Sequence, residues 1–130
     1  MPHFGERSQR ELDTCHDNLK ILFTEVIKHF DCTILQGHRG QEEQDEYFRT
    51  GKSKVQFPNS KHNQSPSLAV DVAPWPIDWN DRERFYHFAG YVRGIAAKMG
   101  ISVRWGGDWD SDTELHDQTF MDLPHFELRL

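Results

Sequence analysis

Leu12, Cys15, Leu19, Leu22, Phe23, Val26, Ile27 and Phe30 recur at spacings of three and four, which places them on one buried stripe of helix. Ser8-Gln9-Arg10-Glu11 has the form of a capping box and predicts a helix start with Ser8 at the N-cap, and Asp17 restarts or continues that helix. Thr33-Ile34-Leu35 is short and β-branched, a strand ending at Gly37-His38-Arg39-Gly40. Residues 42–50 predict a helix stopped by Gly51, and residues 52–67, polar and carrying Pro58, Asn59, Asn63 and Pro66, predict a loop. Residues 68–73 read as a strand ended by Pro74 and Pro76. Asp81 caps the longest helix, whose face is Phe85, Phe88, Ala89, Val92, Ala96 and Met99 and whose end is Gly100. Residues 101–105 form a strand, 106–120 an acidic loop and 125–130 a terminal strand. Helices and strands mix without regular βαβ repetition, so the expected fold class is α+β, a small and largely antiparallel sheet packed with helices.

Length and composition narrow the class. The 130 residues make one domain, residues 1–130, with no repeat or linker. A formal charge of -6 without a Lys/Arg cluster excludes a protein that lives on nucleic-acid phosphates. No apolar run approaches the ~20 residues that span a bilayer, and the first residues lack a charged and then apolar leader, so neither a membrane partner nor a signal peptide is expected. Cys15 and Cys32 are read as buried reduced thiols.

The chemistry concentrates in three places. His62 ends the polar loop, Asp71 is a lone carboxylate inside Leu68-Ala69-Val70-Asp71-Val72-Ala73, and His125 opens the last strand three residues after Asp122. A carboxylate among apolar neighbours is costly unless paired or bound to metal. Two histidines, one carboxylate and a spare carboxylate are the donor set of a catalytic zinc site, in which water takes the fourth position and the spare group handles its proton. Pro124 cannot serve a central ladder, so this stretch is expected to be a turn entering an edge strand. Glu127 alternates with His125 and is expected to orient it.

Ser60-x-His62, Ala69-x-Asp71 and Asp122-x-Pro124-His125-Phe126-Glu127 resemble the M15 zinc peptidases, most closely their phage-endolysin branch of L-alanyl-D-glutamate peptidases. Cys15-His16, Gly37-His38-Arg39 with Glu43-Gln44, and Trp105-Gly106-Gly107-Asp108-Trp109 fall in the same order, so the likeness covers nearly the whole chain. The resemblance implies zinc on His62, Asp71 and His125, Asp122 as catalytic base, and Arg39 binding substrate or the developing oxyanion. It also implies the fold shared by D-Ala-D-Ala peptidases and the hedgehog signalling domain. The expected activity is hydrolysis of the L-Ala-D-Glu bond of peptidoglycan stems by a monomeric phage endolysin that waits in the host cytoplasm. Alternatives are a D-Ala-D-Ala carboxypeptidase or dipeptidase, and a zinc-stabilised binding domain without turnover. His62 and Asp71 stand nine positions apart where the family commonly has seven, with residues 63–67 carrying the extra length that could reshape the substrate rim.

Ser60 and His38 are further candidates for groups behind the ligands. The other histidines, His3, His16, His29, His87 and His116, have no ligand-like pattern. Asp108, Asp110, Asp112 and Glu114 put oxygen ligands at alternate positions as a calcium loop does, although the sixth position is Thr113 where that motif has Gly and the twelfth is Thr119 where it has Glu. Trp75, Trp79, Trp105 and Trp109 divide between cleft lining and packing.

Overall fold

A computed structural model describes residues 2–116 and 121–129. The chain runs α1 (Glu6–Asp13), α2 (Asp17–Val26), β1 (Cys32–Gln36), α3 (Gln41–Arg49), a 3-10 turn (Lys61–Asn63), β2 (Ala69–Pro74), α4 (Arg82–Met99), β3 (Val103–Gly106) and β4 (Asp122–Leu128). The strands form an antiparallel sheet in the order β1-β2-β4-β3. This is the α+β architecture expected. The part of the acidic loop at 117–120, Thr119 included, and Leu130 of the expected terminal strand lie outside the described residues.

Strand alternation divides the sheet chemically. Ile34, Val70, Val72, Trp105, Phe126 and Leu128 turn to the core, where α2 and α4 meet them through Leu19, Leu22, Phe23, Val26, Phe88 and Val92. Phe126 packs edge-on against Phe23 and Phe88, with ring centroids 5.6 and 6.1 Å apart. Asp71, Arg104, His125 and Glu127 occupy the intervening positions and share the opposite face. The register sets Asp71 against His125 on β2 and β4, and Arg104 against Glu127 on β3 and β4. A buried apolar face thus fixes the position of a polar one, because a one-residue slip would exchange them.

Several expectations are corrected. Ser8 is inside α1, whose N-cap is Gly5. The supposed capping box is used across elements: Ser8 Oγ accepts from Ile34 N (3.2 Å) and Glu11 carboxylate from Gly37 N (3.0 Å), tying α1 to β1. The helix restarts at Asp17 as expected, with His16 at the N-cap, its Nδ1 accepting from Asn18 N. The final strand starts at Asp122, and β4 is an inner strand. Pro124 is tolerated there because pairing with β3 jumps from Trp105↔Phe126 to Gly106↔Asp122, a bulge that frees it from ladder duty, while pairing with β2 ends at His125. Met99, placed on the buried face of α4, is 39% exposed in the last turn. Asp81 and Gly100 cap α4 as expected, Gly100 in the left-handed region at φ 72°. Cys15 and Cys32 are buried free thiols, each pushed up to about 12 by burial.

Candidate active site

His62 is fixed before any ligand arrives. Ser60 Oγ accepts from His62 N (3.2 Å), and Asn63 completes the capping of this short turn by accepting from Ser60 N. His62 Nδ1 lies 2.7 Å from Gly37 O, and a carbonyl can only accept, so Nδ1 carries the proton and Nε2 presents its lone pair 3.2 Å from Asp71 Oδ1. Gly37 permits this contact: a Cβ there would collide with Glu11 O and Thr14 Oγ1.

His125 is set in the opposite sense. Its Nε2 donates to Glu127 Oε1 (2.8 Å), which leaves Nδ1 facing Asp71 Oδ1 at 3.3 Å. Nε2 of His62 and Nδ1 of His125 therefore converge on one carboxylate oxygen, and ligand atoms of His62, Asp71 and His125 lie within 4.8 Å of one another, able to hold a metal ion. Burial opposes ionisation of Asp71, but the charges and hydrogen bonds of the two histidines outweigh it and hold the carboxyl below its usual range. Burial likewise opposes the His125 imidazolium, and hydrogen bonds to Asp71 and Glu127 reverse that, bringing it up to about 9. Glu127 is held down to about 2 against its own burial by His125 and Arg104. A metal would replace the proton that this anionic pair draws onto His125, which is the behaviour of a cation site.

Asp122 lies beside the trio, its Oδ2 4.0 Å from His125 Nδ1 and its side chain 33% exposed. Burial and the adjacent Asp71 charge push its carboxyl up, opposed by His125, His62 and Arg39. Gly106 makes room for it, since any Cβ would strike the Asp122 carbonyl.

Arg39 is 5% exposed and tightly held. Its Nε and Nη1 donate to Gln36 and Gln44 (2.9 Å each), its Nη2 lies 3.5 Å from Asp71 Oδ2, and its plane covers the Tyr47 ring at 4.2 Å. Among the described residues its carboxylate partner is Asp71, while Glu43 accepts from Gln36. Gln44 is the residue that periodicity could not find. It is fully buried on an otherwise polar helix, and its amide spans Arg39 on one side and Ser53 and Val55 on the other.

A cleft of about 750 Å³ gathers Arg39, Ser60, His62, Asp71, Asp122, His125 and Glu127, with Tyr47, Lys61, Arg104 and Trp109 on its walls. Trp109 stands over His125 at 5.4 Å; Trp105 is core, and Trp75 and Trp79 are half exposed away from this cleft. His38 does not join it. Its side chain is exposed on a neighbouring groove, so the role behind the ligands assigned to it falls instead to the Gly37 carbonyl. Residues 63–67, which carry the longer His62 to Asp71 spacing, do not line the cleft; Asn63 bonds Ser60 N and Arg39 O, and Ser67 is pinned to the α1–α2 junction by Ser67 N to Thr14 O and His16 N to Ser67 O.

In the acidic loop, carboxylate oxygens of Asp108, Asp110 and Asp112 lie within 4.8 Å of one another, while Glu114 accepts from His116 N and does not join them. Asp108 is fully buried, 3.2 Å from Arg93 Nη2, and accepts from the Asp112 and Thr113 amides. Thr113 takes the left-handed φ of 68° that a glycine supplies at that position of a calcium loop.

The donor set, with a spare carboxylate in the same cleft and a cationic side chain behind the carboxylate ligand, is that of a metal-dependent hydrolase. The chain belongs to the phage L-alanyl-D-glutamate peptidase family, whose sequence model matches residues 1–129. It is 30% identical over 120 residues to the L-alanyl-D-glutamate peptidase of Escherichia phage T5, covering 88% of this chain and 87% of that one. It is 28% identical over 116 residues to the peptidoglycan L-alanyl-D-glutamate endopeptidase CwlK of Bacillus subtilis, covering 78% of this chain and 62% of CwlK. The crystal structure of the Serratia marcescens L-Ala D-Glu endopeptidase ChiX superposes with a TM-score of 0.77 at 28% identity, over 97% of this chain and 89% of ChiX. Among the described residues no helix is long and apolar enough to cross a membrane.

Proposed function

We propose that this protein is a zinc peptidase that hydrolyses the L-Ala-D-Glu bond of peptidoglycan stems, acting as a phage endolysin in host lysis. The observation that carries the reading is the meeting of His62, Asp71 and His125 with the unligated Asp122 in one cleft. Zn²⁺ on the trio would supply a water of lowered pKa and positive charge for the developing oxyanion. Asp122 would serve as the general base toward the attacking water and as the acid that protonates the departing D-Glu nitrogen. Arg39 holds Asp71 by its second oxygen, and Glu127 and Gly37 fix the tautomers of the histidines. The three relatives named for the L-Ala-D-Glu bond favour it over the D-Ala-D-Ala alternative, and Asp122 in the cleft favours turnover over a binding domain. Incubation with a synthetic L-Ala-γ-D-Glu-L-Lys-D-Ala-D-Ala peptide should release free L-Ala and a peptide with a D-Glu amine. Release of D-Ala instead would transfer the protein to the carboxypeptidase alternative.

Arg39→Lys keeps charge yet loses the planar fork that reaches Gln36, Gln44 and Asp71 together. Steady-state kinetics on the stem peptide should show kcat/KM lower by about 10-fold or more. Unchanged kinetics would reduce Arg39 to packing.

The acidic loop is proposed to take a Ca²⁺ ion through Asp108, Asp110 and Asp112, a use supported by their spacing and by the Thr113 backbone. Calcium titrated into the zinc-loaded protein should shift the amide resonances of residues 108–114 and raise activity. Silence of both at millimolar calcium would mark the run as a solvated loop.

A further inference from the structure

Glu127 is one carboxylate shared by more positive charge than it can neutralise. Its Oε1 accepts from His125, while its Oε2 accepts from Arg104 Nη2 (2.7 Å) and Nε (3.2 Å) and lies 3.4 Å from Lys61 Nζ. The anion is buried, with 8% of its side chain exposed, whereas Arg104 and Lys61 expose 37% and 33% of theirs. The surplus positive charge therefore faces outward, and all three side chains line the cleft. Arg104 spends two of its five N–H donors on a single oxygen and rests over the Trp109 ring at 5.9 Å, a steadied guanidinium with donors left over. Arg39, by contrast, is committed to Gln36, Gln44 and Asp71.

Resting on the peptidase reading above, the substrate must bring an anion to this wall. A D-glutamyl residue joined to L-Ala through its amine and to the next residue through its γ-carboxyl keeps its α-carboxylate free, on the carbon that bears the scissile nitrogen. The chain carries a net -6, and Asp110 and Asp122 also line the cleft, so that carboxylate needs a local cation. We infer that Arg104, aligned by Glu127 and assisted by Lys61, seats the free α-carboxylate of the D-Glu residue and makes the enzyme selective against stems in which that group is a carboxamide. A carboxylate accepts two parallel bonds from a guanidinium, and an amide has one acceptor oxygen and no charge.

The test compares two pentapeptides identical except for D-Glu α-carboxylate or α-carboxamide, with kcat/KM measured for wild type, Arg104→Lys, Arg104→Met and Lys61→Met. Wild type should favour the acid by about 10- to 100-fold. Arg104→Met should bring the ratio near unity, with Arg104→Lys and Lys61→Met between. If Arg104 merely props Glu127 and His125, both substrates slow together and the ratio stays at its wild-type value, which overturns the assignment. Equal rates on the two substrates by wild type overturn it as well. Cleavage of neither by wild type would overturn the peptidase reading, and this assignment with it.

Discussion

Asp122→Asn should lower the turnover of stem peptide by about 10²–10⁴, the range for a lost general base, while metal content and fold stay unchanged. The amide keeps the size of the side chain at the mouth of the β4 bulge but cannot accept a proton. Asp122 is placed for the task because its backbone is anchored opposite Gly106 and its carboxyl is 4.0 Å from His125 Nδ1 without being drawn into the trio. Its raised pKa, caused by burial and by Asp71, makes it a better proton acceptor than an ordinary surface aspartate. Single-turnover kinetics alongside metal analysis separate this from a binding defect. Turnover near that of wild type would remove Asp122 from the chemistry.

His62→Ala, Asp71→Ala and His125→Ala should each lose stoichiometric zinc and with it all measurable hydrolysis. The sharpest loss is expected for Asp71→Ala, whose Oδ1 lies within 3.3 Å of both histidines. Removing it leaves two buried imidazoles facing each other and frees Arg39 Nη2 of its only carboxylate partner among the described residues. Elemental analysis of the purified variants, with circular dichroism as the fold control, reads the effect. Full zinc retention in any one variant would strike that residue from the site.

The fold was legible in the sequence where burial is periodic. The stripe from Leu12 to Ile27 and the face of α4 from Phe85 to Ala96 are core because spacing and burial coincide. Met99 breaks the pattern, exposed in the last turn of α4 beside its Gly100 cap. The ligands were legible for a different reason: Asp71 is a carboxylate where a strand should be apolar, and that local conflict points to chemistry. What supports the site was not legible, because it depends on contacts across the sheet. Ser8 and Glu11 form a capping pattern on paper, yet tertiary partners on β1 claim both side chains. Pro124 argued for an edge, and a bulge that no spacing reveals admits it to an inner strand. The Gly37 carbonyl behind His62 has no side chain to advertise it, so suspicion fell on its neighbour His38. Gln44 and Arg104 look like ordinary surface polarity until register and burial place one beneath Arg39 and the other beside Glu127.

The most direct measurement is mass spectrometry of purified muropeptides after incubation with the zinc-loaded protein, with the metal removed by chelator, and with zinc restored. Stems severed between L-Ala and D-Glu, only when zinc is present, are the predicted result. Cleavage that survives complete removal of the metal, or a product set showing only loss of D-Ala, would contradict a zinc-dependent L-Ala-D-Glu peptidase.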